Sequence, residues 1–357
     1  MKRLCIALFL ATVILIPALA QKGKDPFAGR WDLTVIAPEA TYPSWMEIVE
    51  KDGNLEVRAQ QREGSVHPVA AAKMDGSRLI VTVSAATPAR PATDTRPASP
   101  ARPAFTWELT AKGGKLTGVQ KLGDAVQGKV AGVHAPALKH AAPRAWTDPE
   151  PLFNGKDLTG WVTMNNTQNP KATTSYWVVK DGELVNEAQG HNIMTTRKFN
   201  DFKLHVEFNL TAGANGGIYL RGRYECQMPP PGARRPGAGA RGGASGGPGG
   251  PGAGPARGAA RGGAGGRGPG YAIYGFVNAT TEAPGNPGEW RTYDITLVGR
   301  YVTLVVNGVT IVDSQEIPGI TGGALDSNEA EPGPVYFQGD HTGGISYRNI
   351  TISVPKR

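Results

Sequence analysis

The stretch Gly216–Met228, GGIYLRGRYECQM, alternates two kinds of side chain. Read as one strand, Ile218–Met228 turns Tyr219, Arg221, Arg223, Glu225 and Gln227 to one face, and Leu220, Gly222, Tyr224, Cys226 and Met228 to the other. The second face is made to pack. The first carries two guanidinium groups, a carboxylate and an amide, types that hold hydroxyls, steady an anion and move a proton. A second alternating run, Phe202–Leu210, sends Phe202, Leu204, Val206, Phe208 and Leu210 inward and Lys203, His205, Glu207 and Asn209 outward. His341 stands in a loop among Gly and Asp. Glu207, Glu225 and His341 are therefore candidate catalytic acids or bases, and Arg221 a candidate anion stabiliser. The plainer reading of Arg221 and Glu225 is a solvated ion pair worth under roughly 1 kcal/mol. For Glu207 and His205 it is two exposed strand residues.

The elements that must position these groups read as strands throughout. The first half offers Gly29–Ile36, Trp45–Glu50, Leu55–Gln60, Arg78–Val83, Phe105–Leu109 and Lys115–Val119, with Asp52-Gly53, Asp75-Gly76 and Gly113-Gly114 as turn signals. The second half repeats this grammar, with Asn307-Gly308 as a strong type I′ hairpin signal. No stretch keeps a long helical period. The expectation is an all-β protein: a small antiparallel β-barrel or sandwich over residues 25–130, a Pro/Ala/His linker over 131–148, and a two-sheet sandwich or jelly roll over 149–357.

Residues 1–20 read as a cleaved secretory signal peptide. Lys2 and Arg3 precede an apolar run, and Ala18-Leu19-Ala20 makes a small-x-small cleavage motif before Gln21. A periplasmic or secreted location follows, with no transmembrane segment expected after cleavage. Cys226 is then the sole cysteine of the mature chain, so no internal disulfide forms, and its apolar neighbours mark it as core rather than nucleophile. Two segments break the strand grammar: a Pro/Ala-rich loop at 85–103, and an insertion at 229–270 with 18 Gly and 8 Pro, expected to be disordered. The formal charge of +8 falls to zero once Lys2, Arg3 and the six Arg of the insertion are set aside. The basic balance belongs to the insertion, and nucleic acid is not an expected partner. His67, His134, His140 and His191 lack metal-ligand spacing.

From Pro151 onward the segments LFNGKDLTGW, YWVVKDGEL, FNDFKLHVEF, NGGIYLRGRYECQM, WRTYDITLVG, VVNGV and GPVYFQGDHTGGISYRNITI follow in order. Together they resemble the 3-keto-disaccharide hydrolase family, over about 200 residues. The resemblance implies a concanavalin-A-like jelly roll with a sugar-binding face, acting on glycosides already oxidised to a ketone at C3. The family's R-x-x-x-E-x-Q pattern falls on Arg221, Glu225 and Gln227, and its Asp-His pair on Asp340 and His341. Gly339 before that pair and the insertion after Met228 depart from the family pattern.

The implied chemistry starts from the acidity that a C3 ketone confers on C2–H. A base removes that proton, the glycosidic oxygen leaves C1, and water can add back later. Glu207, Glu225 and His341 are the acid and base candidates for this. Arg221, or a divalent cation as the one cofactor considered, would stabilise the enediolate. His205, Tyr219, Gln227 and Asp340 complete the substrate-binding set, with a carbohydrate as the partner. Two rivals remain on the sequence: a conventional glycosidase using Glu207 and Glu225 across one bond, and a non-catalytic carbohydrate-binding protein. A third reading leaves the sandwich inert and gives partner binding to the N-terminal domain.

Overall fold

The structure, a computed structural model, describes residues 25–62, 64–93, 97–164, 174–228, 270–283 and 285–356, all but the Tyr271 side chain. The expected signal peptide and the Gly/Pro/Arg-rich insertion, apart from Gly270, lie outside the described residues. Among the described residues every regular element is a strand and all pairings are antiparallel.

The first half forms a nine-stranded meander. Gly29–Ile36, Thr41–Lys51, Asn54–Gln60 and Val66–Pro68 pair in sequence order, as do Ala71–Asp75, Arg78–Ser84, Phe105–Lys112, Lys115–Leu122 and Ala125–His134. The last strand returns to the first. Val69 N–H then donates to Val57 and Ala70 N–H to Thr82, so the chain from 66 to 75 bends from one edge to the other and closes a barrel. Closure leaves no free edge. Trp31, Leu33, Met46, Leu79, Val81, Trp107 and Leu109 fill its interior.

Two features of this half depart from expectation. Ala125–His134 is a strand and runs past residue 131, where the linker was expected to begin. Its Gly and Ala content weakens the strand signal, yet packing requires the glycine: a Cβ on Gly132 would lie 2.6 Å from Leu33 Cδ2. The limbs of the Pro/Ala-rich loop also pair, Thr87 with Arg102 and Arg90 with Ser99.

The second half is a two-sheet sandwich. One sheet runs Trp177–Lys180, Glu183–Asn186, Ile345–Ser353, Phe202–Leu210, Arg291–Val298, Tyr301–Val306 and Val309–Glu316, with Glu150–Pro151 added on Ile345–Ser353. The other runs Trp161–Met164, Asn192–Thr195, Tyr336–Phe337, Gly217–Leu220, Tyr224–Gln227, Tyr271–Ile273 and Val277–Asn278. Between them lies one apolar core, where Phe337 stacks on Tyr347 at 4.4 Å and meets Trp161 at 5.1 Å. Cys226 is buried in that core, as its neighbours foretold.

The expected single strand Ile218–Met228 is instead a hairpin of Gly217–Leu220 and Tyr224–Gln227. Arg221 (φ 51°) and Gly222 (φ 69°) both take the left-handed conformation, and Arg223 N–H donates to Leu220 C=O at 3.0 Å. This is the backbone of a type I′ turn. A Cβ on Gly222 would meet Leu325 Cδ1 at 2.5 Å. Gly222→Ala is expected to destabilise the sandwich by roughly 1–2 kcal/mol from the left-handed backbone alone. Urea unfolding measures it, and an unchanged midpoint would refute the turn.

Candidate functional site

The register of the hairpin builds the site. Tyr219 faces Glu225 across the hairpin and Tyr336 across the other edge of its strand, and Met194 faces Tyr336. Paired residues share a face, so these four side chains form one row. The alternate residues Ile218, Cys226 and Phe337 point into the inter-sheet core. Gln227 lies two residues from Glu225 on the same face, its amide donating to Asn215 Oδ1 at 3.0 Å.

Glu225 is only 4% exposed, but it is buried outside the inter-sheet core. The loop 317–331 covers it. Thr321 Oγ1 accepts from Glu225 N–H at 2.9 Å, and Leu325 N–H donates to Gly222 C=O at 2.9 Å. The Tyr219 hydroxyl lies 2.9 Å from Glu225 Oε2 and 2.6 Å from the Gly322 carbonyl. It has one proton for two acceptors. When it donates to Gly322, a proton on Glu225 lets the carboxyl donate in turn to the phenol oxygen. Gln338 Nε2 also donates to that oxygen, at 3.2 Å.

The electrostatics agree with that proton count. Burial is the main cause that pushes the Glu225 carboxyl up, to about 7, and the neighbouring Asp340 adds to it. The hydrogen bonds from Tyr219 and Gln338 and the nearby His341 pull it back. Burial holds the stacked phenols of Tyr219 and Tyr336, 3.9 Å apart, firmly protonated. His341 Nδ1 is 2.8 Å from Asp340 Oδ1, and the imidazole is 40% exposed. A half-buried imidazole–carboxylate pair thus adjoins a buried carboxyl that changes charge near neutrality. This is equipment for moving a proton.

Glu225, Tyr219, Gln227, Asp340 and His341 are brought together on one side of the sandwich. Glu207 and His205 are not. Their strand, Phe202–Leu210, lies in the other sheet and turns them to its outer face. Glu207 accepts from Arg348 Nε and Asn349 Nδ2, both at 2.7 Å, and His205 pairs with Asp294 at 2.6 Å. Burial would raise the Glu207 carboxyl, but those two hydrogen bonds win and hold it below its ordinary value. The hydrogen bond to Asp294 raises the His205 imidazole. The expected grouping of Glu207 with Glu225 is therefore corrected: two outer faces separated by a core cannot serve one bond.

Arg221 is corrected too. Sitting in the turn, it donates to the carbonyls of Glu329 and Glu331, beyond the end of the hairpin. Gln338 and Tyr336 escaped the sequence reading. The alternation of Tyr336, Gln338 and Asp340 in VYFQGD was the signal that could have found them. Gln338 is 6% exposed, and its Oε1 has no hydrogen-bond partner. Among the described residues no three His, Cys, Asp or Glu side chains are gathered as ligands for a metal ion.

A family model described as a 3-keto-alpha-glucoside-1,2-lyase-like domain matches residues 148–353. No protein of curated function matches the chain. Among solved structures, a Parabacteroides distasonis protein provisionally named a glycosyl hydrolase is 24% identical, with 60% of this chain and 92% of that chain covered and a TM-score of 0.41. A second protein of that organism and description is 18% identical, with 58% and 92% covered and a TM-score of 0.38. A Trypanosoma rangeli sialidase is 9% identical, with 88% and 64% covered and a TM-score of 0.24.

Proposed function

Because the chain belongs to the 3-keto-alpha-glucoside-1,2-lyase-like domain family, a family of carbohydrate-active enzymes, we propose that it cleaves glycosides whose ring is oxidised to a ketone at C3. The observation that carries this reading is Glu225, a buried carboxyl raised to about 7 on the polar face of the hairpin. As a carboxylate it takes the proton from C2. The C–H electron pair moves into an enolate with the C3 oxygen, then returns as the C1–O bond breaks. The product is a 1,2-unsaturated 3-keto sugar, and the departing glycosidic oxygen receives a proton. His341, exposed and oriented by Asp340, supplies that proton. Gln338 steadies the carboxyl from the same side, its amide donating to the Tyr219 hydroxyl. The Tyr219 hydroxyl holds the carboxyl in place.

This reading is preferred over the conventional glycosidase because Glu207 and Glu225 lie on different faces of the sandwich. It is preferred over a non-catalytic binding surface because this face gathers the titratable groups Glu225, Asp340 and His341 rather than exposed aromatic rings. Export belongs to the same proposal, with the mature chain beginning at Gln21; amino-terminal sequencing of protein recovered from the producing cell tests it.

The direct test offers the protein a 3-keto glycoside and its unoxidised parent. Cleavage of the ketone with loss of a C2 deuterium label is expected; cleavage of the parent alone would overturn the reading. Glu207→Gln serves as the internal control. With its carboxylate on the outer face of the other sheet, turnover should stay within about twofold of wild type. A loss comparable to that of a Glu225 variant would return Glu207 to the site.

A further inference from the structure

The wall over Glu225 is held from the other domain. Gln60 ends the strand Asn54–Gln60 of the barrel and is 1% exposed. With its amide oriented to satisfy both atoms, the nitrogen donates to Ile320 C=O at 2.7 Å and the oxygen accepts from Gly322 N–H at 3.1 Å. Gly322 is the residue whose carbonyl receives the Tyr219 hydroxyl at 2.6 Å. One short chain of hydrogen bonds thus runs from the barrel through Gly322 and Tyr219 to the Glu225 carboxyl. Packing fixes the same loop. Trp45 of the barrel clusters with Ile320 and Ala324, and a Cβ on Gly319 would lie 2.0 Å from the indole nitrogen. Further along the loop, Thr34 Oγ1 meets Ser327 Oγ at 2.5 Å.

We propose that Gln60 is a positioning residue for Glu225, acting through Gly322 and the Tyr219 hydroxyl, and that the barrel is in this sense part of the active site. The proposal rests on the reading of Glu225 as the proton-transfer group. Gln60 touches no substrate. It sets where the Gly322 peptide lies, and so which acceptor the single Tyr219 proton serves. Without that grip the Gly322 carbonyl is free to withdraw, the phenol turns its proton to Glu225, and the carboxyl is stabilised as an anion in a less defined place. The other groups facing Glu225, namely Asp340, His341, Tyr336 and Gln338, come from the sandwich itself and are untouched by a change at Gln60.

The test uses the full chain labelled with 13C at the glutamate carboxyls. The Glu225 signal is identified by its loss in Glu225→Gln, and its titration is followed in wild type and in Gln60→Met. The methionine keeps the volume but neither donates to Ile320 nor accepts from Gly322. The Glu225 midpoint should fall by at least about half a pH unit in Q60M. The kcat on a 3-keto glycoside should fall about tenfold, with KM little changed. In a Tyr219→Phe background, which breaks the chain one link later, Q60M should add no further shift. A Glu225 midpoint identical in Q60M and wild type, or an additive shift in the Tyr219→Phe background, would overturn the proposal. Gln60→Asn, which withdraws the amide by one methylene, serves the same comparison should Q60M unfold. The titration needs no substrate. A shifted midpoint in a chain that cleaves no 3-keto glycoside would therefore refute the proposed activity while the link from Gln60 to Glu225 stood.

Discussion

Glu225→Gln should leave the fold intact and lower turnover of a 3-keto glycoside by at least about 100-fold, the low end for a lost general base. Glutamine keeps the shape and can still accept from the Tyr219 hydroxyl, which lies 2.9 Å from the wild-type carboxyl. It cannot take a proton from C2. Wild-type kcat/KM should rise with pH through about 7, as the buried carboxyl ionises, and the residual activity of the variant should lack that rise. The stability argument has the opposite sign. A carboxyl raised from an unfolded value near 4.5 to about 7 binds its proton more tightly when folded. The stability it contributes is complete below the lower value and is lost as pH climbs through the upper one. The difference amounts to about 3 kcal/mol. Glu225→Gln should therefore flatten the pH dependence of unfolding between those limits. A folded variant with near-normal turnover would remove Glu225 from the mechanism.

Glu329→Ala should have the largest effect on stability, a loss of roughly 3–5 kcal/mol. Glu329 is 1% exposed and sits where the barrel meets the sandwich. Its carboxyl accepts from the Tyr224 hydroxyl at 2.8 Å and from Arg300 Nη2 at 2.6 Å. The Asp32 carboxyl of the barrel lies against it, and neither Asp32 oxygen has a donor among its neighbours. A proton on one of the two carboxyls lets it donate to the other. Burial first, and the Glu329 charge second, push Asp32 up to about 9, so the two carboxyls share one proton at neutral pH. Removing Glu329 strips the buried Arg300 guanidinium of its carboxylate and the shared proton of its second carboxyl. The expected drop in melting temperature is on the order of 10 °C; a drop of a degree or two would mean that the arginine re-pairs. Asp32→Asn should be tolerated, because an amide can donate to Glu329 without a shared proton. It should also abolish the loss of stability that the wild type shows as pH rises towards 9.

Much of the architecture follows from local patterns. Period-two alternation and turn pairs such as Asn307-Gly308, which adopts φ values of 48° and 75°, specify strands and hairpins within a few residues of themselves. They suffice for an all-β chain and for the inward set Phe202, Leu204, Val206, Phe208 and Leu210. The same alternation places Tyr219, Glu225 and Gln227 on a common face away from the core. It does so for a reason that also hides the hairpin. With a three-residue turn, residues six apart across the loop share a face, as they would along one straight strand. Parity survives the reversal, so the sequence of this segment is compatible with both shapes. Only the folded chain shows that Arg221 belongs to the turn.

Glu207 illustrates the second limit. Alternation says that a side chain points away from the core, but a sandwich has two outer faces with the core between them. Which one a strand presents depends on which sheet it joins, and that is set by pairings such as Glu207 with Thr292 and Arg348. Strand alternation alone does not carry the information. The covering of Glu225 is further removed still. Its raised affinity for a proton comes from desolvation beneath residues about a hundred positions later in the chain, which are themselves gripped by Gln60 and Trp45 of a separate barrel. The type of element and the side of a strand that a residue takes depend on neighbours in the chain, so both are legible in the residues themselves. Tertiary structure alone decided which groups meet and which carboxyl loses its water, because both depend on contacts between distant segments.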